Sequence, residues 1–267
     1  MEKRSRAIGS LLCVGLDPHL SFLPAPTAQS ARDLCLRAVK EAAPCAVAFK
    51  PNVAFFEAFG APGWEALRIV VETIHEQAER LGQGPIPLIL DAKRGDIAST
   101  AEAYARAAFE QLKADAITLN PYLGYDSIAP FLAWPGKGLF LLCKTSNPGS
   151  ADLQDLLLQD GRPLYEHVAG LVEQWDREGR IGLVVGATFP QALARLRAIA
   201  PRRWFLVPGL GAQGGDLAST LRNGLRADGL GLLLTLSRAI LMADSPARAA
   251  AEWRDKIESI RKTFLAE

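Results

Sequence analysis

The sequence has no hydrophobic run that could cross a lipid bilayer. Such a span needs about 20 consecutive apolar residues, and the apolar runs of this chain are much shorter. The first of them, Leu11–Leu16, is also too short for the core of a signal peptide and is followed at once by Asp17. We therefore expect a soluble, cytoplasmic protein that does not bind membranes.

Cysteine and histidine are scarce. The chain has four cysteines and three histidines, and no two cysteines form a Cys-x-x-Cys pair. Cysteines inside apolar runs are typical of buried free thiols in a reducing compartment. We predict no zinc site, and we expect all seven residues to serve packing or the surface: Cys13, Cys35, Cys45, Cys143, His19, His75 and His167.

An excess of charge of either sign is also absent. Thirty Lys and Arg residues balance 29 Asp and Glu residues, which leaves a formal net charge of +1. A chain without a strong overall field is not expected to bind nucleic acid or an anionic membrane surface. An anionic ligand would therefore have to be bound at a local site.

Enough apolar sequence is present for a substantial core, since 49% of the residues are hydrophobic and 22% are charged. About eight short apolar runs alternate with helical patterns. Continuous apolar runs are typical of strands in a parallel sheet that is covered on both faces. The predicted strands are Leu11–Leu16, Ala46–Phe49, Pro87–Leu90, Ala116–Leu119, Leu139–Cys143, Gly182–Val185, Trp204–Val207 and Leu230–Leu234.

Amphipathic helices are predicted between these runs, because apolar residues recur there at spacings of three and four. The apolar stripes run from Trp64 to Leu81, Ile97 to Leu112, Leu164 to Trp175, Leu217 to Leu225 and Trp253 to Phe264. Strand–helix alternation of this length predicts an α/β fold, a single-domain (β/α)₈ TIM barrel over residues 1–267. An open doubly wound sheet is the alternative, but the first strand is not followed by a dinucleotide-binding glycine pattern.

Charged residues follow two neighbouring predicted strands. The third strand is followed by Asp91, Lys93 and Asp96, and the second by Lys50. Asp91 and Lys93 are separated by one residue, so both side chains can point to the same side of a strand. In a barrel, the loops after the strands form the active site. Like charges are brought together at a cost unless opposite charges intervene, so this alternating set predicts a catalytic site.

The alternative interpretation of this segment is a structural salt-bridge network at the rim of the barrel. In that case Asp96 or Ser99 would cap the next helix, and Ser99 with Glu102 does fit a capping box.

A second candidate site lies after the seventh and eighth strands. The Pro208–Gly215 loop is rich in glycine, which lets backbone N–H groups approach an anion closely. Loops at this position of a barrel frequently bind phosphate. Arg238 could donate two parallel hydrogen bonds to phosphate oxygens, and Gln213 could donate from its side-chain amide. An ordinary flexible loop is the alternative.

Together these segments resemble the orotidine 5′-monophosphate decarboxylase family, in particular its longer bacterial subgroup. The stretch from Asp91 to Ile97 is similar to the D-x-K-x-x-D motif of that family, which is only moderately specific by itself. The resemblance extends over nearly the whole chain in the family's order, through Val14–Pro18, Phe49–Asn52, Thr118–Gly124, Lys144–Gly149, Val185–Thr188 and Val207–Gly215.

The resemblance implies a homodimer with shared active sites. Its reaction would convert orotidine 5′-monophosphate to uridine 5′-monophosphate and CO₂, the last step of UMP synthesis, without a metal or an organic cofactor. Lys93 would be the proton donor. Lys50, Asp91 and Asp96 would complete the charged array, and Asp96 would reach into the neighbouring subunit's site.

The same resemblance implies roles in binding the substrate. Asp17 and Lys50 would contact ribose hydroxyls, and Thr100 would cross the dimer to the ribose. Ser146 would bond to the pyrimidine. The loop that begins at Pro208 would hold the phosphate through Gln213, together with Arg238. The chain departs from the family where the last strand ends, because it has Thr235-Leu236-Ser237 before Arg238, so backbone contacts to the phosphate are expected to differ there.

Two other functions fit parts of the pattern. A magnesium-dependent sugar-phosphate lyase of the same superfamily shares D-x-K-x-x-D, but it has a carboxylate where this chain has Lys50. A non-catalytic nucleotide-binding barrel would need the phosphate loop and not the charged array. For a decarboxylase, we expect the Ser146–Asp160 region and the Gly209–Gly215 loop to be mobile and to close on the ligand.

Overall fold

Eight parallel strands form the centre of the molecule. The structure is a computed structural model that describes residues 1–210 and 214–266. The strands are β1 (Leu12–Leu16), β2 (Ala48–Pro51), β3 (Ile89–Arg94), β4 (Ala116–Leu119), β5 (Gly138–Lys144), β6 (Ile181–Val185), β7 (Phe205–Val207) and β8 (Leu232–Leu236). Most of their residues are buried, as expected for a sheet that is packed on both faces.

The sheet curls into a nearly closed barrel. Its strand order is β2-β1-β8-β7-β6-β5-β4-β3, so β2 and β3 lie at the two ends. Isolated parallel bridges join these ends, from Phe49 to Leu88 and from Asn52 to Asp91. The amide of Val53 donates to the carbonyl of Asp91 at 3.1 Å across the same seam. The predicted (β/α)₈ barrel is therefore confirmed, and the doubly wound alternative is wrong.

Helices cover the outside of the barrel. They are α1 (Glu2–Ile8), α2 (Ala28–Ala42), α3 (Ala54–Glu57), α4 (Ala61–Leu81), α5 (Ala98–Arg106), α6 (Ala129–Leu132), α7 (Ala151–Gln154), α8 (Leu164–Trp175), α9 (Pro190–Ile199), α10 (Leu217–Gly224), α11 (Arg238–Leu241) and α12 (Pro246–Ala266). A π-helical turn, Ala107–Gln111, continues α5.

The predicted faces on α4, α5 and α10 lie mainly against the core, the face on α12 is buried only at Ile257, and the face on α8 is offset. The stripe on α4 is buried at Leu67, Val71 and Ile74, although Trp64 at its start is 39% exposed. On α8 the buried positions are Tyr165, Ala169 and Val172, while the predicted Leu164–Trp175 stripe is only half-buried. Helix α8 is apolar on more than one side, so periodicity alone did not identify its inner face.

All four cysteines are buried and free, as predicted. In the part of the chain that the structure describes, no helix combines the length and the apolar character that a membrane span requires.

Candidate active site

Strand β3 continues beyond its apolar part, and its polar end carries two of the predicted catalytic residues, Asp91 and Lys93. Its register against β4 shifts between Leu90 and Arg94. Lys93 has a φ of 48°, in the left-handed region, which costs a non-glycine residue about 1–3 kcal/mol. The hydroxyl of Thr118 supports this bend, because it accepts from the amides of Ala92 at 3.0 Å and Lys93 at 2.9 Å.

The same hydroxyl fixes the central carboxylate. Thr118 Oγ1 donates to Asp91 Oδ1 at 2.9 Å. Lys93 Nζ lies 2.6 Å from that oxygen, and Lys50 Nζ lies 2.7 Å from the other one, Oδ2. Lys50 Nζ also lies 3.7 Å from Asp17 Oδ1. The structure therefore brings four residues from three strand ends into one row of alternating charges, as the sequence predicted for three of them.

Neighbouring opposite charges outweigh burial and keep Lys50 and Asp91 ionised. Burial alone would lower the pKa of Lys50, but the carboxylates of Asp17 and Asp91 outweigh it and hold that pKa above the ordinary value of lysine. Burial would likewise raise the pKa of Asp91, yet the ammonium groups of Lys50 and Lys93 hold it well below its ordinary value. Asp91 is therefore a carboxylate at neutral pH.

Exposure distinguishes the two lysines. The side chain of Lys50 is 5% exposed and that of Asp91 is 10% exposed, whereas the side chain of Lys93 is 47% exposed. Lys93 is thus the cation that a ligand can reach, and Asp91 holds it from behind.

A cavity of about 510 Å³ opens in front of Lys93. Its volume lies within the ordinary range for small-molecule sites. Apolar side chains of Leu142, Val184 and Leu206 line it beside the charged row. Of the residues predicted to bind substrate, Ser146 and Pro208 also line it. An apolar lining with a few polar and charged groups is typical of small-molecule sites.

The segment after β5 forms one wall of this cavity and is tied down at two points. The side chain of Gln154 accepts from the amide of Thr145 and donates to its hydroxyl, both at 2.8 Å. Lys144, whose side chain is only 3% exposed, lies 2.7 Å from Asp155. Its ammonium also lies 4.5 Å from the ring centre of Phe189. We name residues 145–155 the β5 segment.

The ribose candidate Asp17 lies at the other end of the charged row. Its Oδ2 accepts a hydrogen bond of 2.5 Å from the hydroxyl of Ser237. Sequence reasoning did not identify Ser237 or Thr118 as site residues. Thr118 is a single hydroxyl within the apolar strand β4, and Ser237 directly follows β8, so only the fold shows which carboxylates they contact.

Asp96 and Thr100 do not join the site within one chain. Asp96 Oδ1 accepts from the amide of Ile97 at 2.8 Å, and among the described residues no salt bridge joins it to a lysine. Thr100 is exposed in the first turn of α5. Ile97 stands before α5, and no side chain caps that helix. The capping interpretation of Asp96 or Ser99 is therefore wrong.

The predicted phosphate residues are only partly described. Gln213 lies outside the described residues. Arg238 is exposed as the first residue of α11. On either side of the undescribed residues, Leu210 and Gly215 form a parallel bridge. A side chain at Gly215 would meet the Cβ of Ala187 at 2.6 Å, so this end of the loop requires glycine.

The charge distribution bears on the metal-dependent alternative. Within residues 1–210 and 214–266, no group of three or more metal-ligating side chains is close enough to hold an ion. More directly, the ammonium of Lys50 stands between Asp17 and Asp91, where a cation would have to bind. This arrangement disfavours a magnesium site between the two carboxylates.

Comparisons with known proteins agree on one family. Residues 10–253 match the family model described as orotidine 5′-phosphate decarboxylase / HUMPS family. An orotidine 5′-phosphate decarboxylase of Roseiflexus sp. (strain RS-1) is 51% identical over 261 residues, covering 96% of this chain and 93% of that protein.

Solved structures agree with the sequence relatives. The OMP decarboxylase of Leishmania donovani is 49% identical with a TM-score of 0.87, and 98% of each chain is covered. The UMP synthase of the same organism is 51% identical with a TM-score of 0.88, but this chain spans only 56% of that longer protein.

Proposed function

We propose that Lys93 is the proton donor of this chain, which belongs to the orotidine 5′-phosphate decarboxylase / HUMPS family and is a carboxy-lyase that catalyses the last step of UMP synthesis. The observation that carries this proposal is the position of the Lys93 ammonium. It lies 2.6 Å from a buried carboxylate, Asp91, yet remains half-exposed toward the cavity. It can therefore be oriented by the protein and still reach a substrate.

The reaction needs a cation at this position. Cleavage of the bond between the pyrimidine ring and its carboxylate releases CO₂ and leaves the electron pair on the ring carbon. The ring delocalises that charge poorly, so the barrier is high. An ammonium group fixed beside the carbon stabilises the developing charge. Lys93 then transfers a proton from Nζ to the carbon, which gives UMP, and solvent restores the proton.

The remaining residues would bind and orient the substrate. Lys50 and Asp17 form the end of the charged row that would receive the ribose hydroxyls, and Ser146 lines the cavity where the pyrimidine would lie. Pro208 begins the loop that would hold the phosphate. Gln213 in that loop and Arg238 at the start of α11 would be the side-chain donors. Binding energy from the phosphate, remote from the breaking bond, would help to order the reacting end.

We also infer a homodimer in which each site is completed by the partner subunit. Four apolar side chains at this rim of the barrel are exposed in the single chain, namely Ile97, Tyr122, Leu123 and Tyr125. Helix α5 packs beside the turn that contains Tyr125, so the four lie near Asp96 and Thr100. Burial of this apolar surface against a second copy would bring Asp96 and Thr100 toward the partner's Lys93.

A cytoplasmic location is part of the same proposal. Four buried, unpaired thiols suit a reducing compartment.

The activity is tested by following the loss of orotidine 5′-monophosphate spectrophotometrically, with EDTA present throughout. We expect undiminished turnover after chelation, because the ammonium of Lys50 occupies the place of a cation. Activity that depends on added magnesium would favour the metal-dependent lyase instead. Binding of UMP without turnover of the substrate would favour a non-catalytic barrel.

A further inference from the structure

We propose that Ser237 is a positioning residue that fixes the rotation of the Asp17 carboxylate, so that one oxygen faces Lys50 and the other faces the ligand. The inference deepens the proposed function, because it rests on the contact between Asp17 and the ribose. Ser237 itself is not expected to touch the reacting atoms.

The two oxygens of Asp17 have different surroundings. Oδ1 is fully buried, has no hydrogen-bond partner among the described residues, and lies 3.7 Å from Lys50 Nζ. The Asp17 side chain as a whole is nevertheless 23% exposed. Because Oδ1 is covered, Oδ2 is the oxygen that a ligand can reach. Oδ2 accepts from Ser237 and, with a second lone pair, can accept from one hydroxyl more.

A glycine makes room for this contact. A Cβ at Gly15 would lie 2.0 Å from Ser237 Oγ and 3.3 Å from Asp17 Oδ2. Gly15 is not among the residues with positive φ, so the backbone conformation does not require glycine there. Space for the bond between Ser237 and Asp17 is the physical reason for glycine at this position of β1.

Without Ser237, nothing else described would hold the carboxylate in this rotation. Attraction to the buried ammonium of Lys50 would favour a rotation in which both oxygens share its charge, so that neither oxygen is held toward the ligand. Ser237 also precedes Arg238, the proposed phosphate residue. One short stretch of chain after β8 would thus position groups for both ends of the ribose phosphate.

The test compares three ligands by isothermal titration calorimetry: UMP, 2′-deoxy-UMP and 3′-deoxy-UMP. Each is titrated into the wild-type enzyme, Ser237→Ala, Asp17→Asn and the control Ser259→Ala, an exposed serine on α12. We expect Ser237→Ala to weaken UMP binding roughly tenfold, as for loss of a charge-assisted contact. It should weaken binding much less for the analogue that lacks the hydroxyl bound by Asp17. The control should bind all three ligands like the wild type.

Equal weakening of all three ligands by Ser237→Ala would mean a purely structural role and would overturn the proposal. So would wild-type affinity for UMP in that variant. If Asp17→Asn discriminates among the ligands as the wild type does, Asp17 is not the ribose acceptor and the inference fails with it. Failure of the proposed function is a separate result, namely UMP binding without turnover of orotidine 5′-monophosphate.

A second variant tests the same contact from the other side. Gly15→Ala should displace Ser237 and weaken UMP binding as Ser237→Ala does. Because both changes act on one hydrogen bond, the double variant should bind UMP about as tightly as whichever single variant has the lower affinity. Penalties that add would show that Gly15 and Ser237 act independently, against the proposal.

Discussion

Thr118 connects three groups at the end of β3 through one hydroxyl. It accepts from the amides of Ala92 and Lys93 and donates to Asp91. Thr118→Val keeps the shape and removes the hydroxyl, which leaves two amides without an acceptor. We expect the free energy of unfolding to fall by about 1–3 kcal/mol, and kcat to fall because Lys93 and Asp91 are no longer held. Urea unfolding and steady-state kinetics measure the two effects.

Thr118→Ser is the matched control, since it retains the hydroxyl. It should keep most of the stability and activity of the wild type. If valine and serine at this position behaved alike, the hydroxyl would have no part in shaping the site.

The ionisation of Asp91 predicts how the stability of the site depends on pH. Its pKa is lower in the folded protein than in the unfolded chain, so the stability it contributes is present above the ordinary pKa of about 4 and is lost as the pH falls further. The pKa of Lys50 is raised, so its contribution is present below the ordinary lysine pKa of about 10 and is lost at higher pH.

Asp91→Asn should therefore cost about 3–5 kcal/mol at pH 7, because it leaves the buried ammonium of Lys50 poorly paired. Chemical denaturation of both proteins at pH 7, 5 and 3 checks this expectation. The difference should be similar at pH 7 and pH 5 and smaller at pH 3. A difference that grows toward pH 3 would mean that Asp91 is not ionised in the folded state.

At the residue scale, sequence reasoning identified the charged groups and not their supports. Lys50, Asp91 and Lys93 could be predicted, because charged residues directly after buried strands are unusual and must meet at one end of a barrel. Thr118 and Ser237 could not be predicted, since a hydroxyl has no specific meaning until its partners are known. Asp96 was predicted in the same array, but no salt bridge joins it to a lysine among the residues that the structure describes.

At the scale of elements, the β5 segment depends on a buried lysine behind it. Lys144→Met replaces a buried charge by an apolar side chain of similar length and should change global stability little. Asp155→Asn instead leaves the Lys144 ammonium buried beside Phe189 without its carboxylate, and should cost about 1–3 kcal/mol. Both variants should loosen the segment and raise KM.

Hydrogen exchange of peptides from residues 145–155, with thermal unfolding, measures these effects. Protection of this segment should fall in both variants, and UMP should raise it in the wild type. A larger loss of stability in Lys144→Met than in Asp155→Asn would contradict the assigned role of the ion pair.

The elements themselves were largely predictable, because apolar runs and helical spacing reflect burial directly. The most important difference from the predicted elements is in β3, whose apolar run ends at Leu90 but whose strand continues to Arg94. Its last residues are polar because they line the site, so hydrophobicity gave no signal for them. In the alternative interpretation, a capping box at Ser99 would start the next helix at Thr100. Helix α5 instead begins at Ala98, which has a positive φ.

At the scale of the whole molecule, the shared site predicts complementation between two inactive variants. Lys93→Ala and Asp96→Asn should each be nearly inactive. If Asp96 serves the partner's site, a mixed dimer contains one site with both native residues. Equal mixing after reversible dissociation should therefore restore about a quarter of the wild-type activity, from random pairing.

Sedimentation velocity shows whether the mixture contains dimers. Tyr122→Asp, in the exposed apolar surface formed by Ile97, Tyr122, Leu123 and Tyr125, should shift the dimer toward monomer. Failure to recover activity in a mixture shown to contain mixed dimers would place Asp96 in its own subunit's site, or outside catalysis.

The central claim is that the ammonium of Lys93 supplies the charge and the proton for decarboxylation. The most direct measurement is kcat of Lys93→Ala, together with its dissociation constant for UMP. We predict that kcat falls by about three or more orders of magnitude while UMP binding stays within about tenfold of the wild type, because the ribose and phosphate contacts remain. Turnover near the wild-type rate in a protein that still binds UMP would contradict the account.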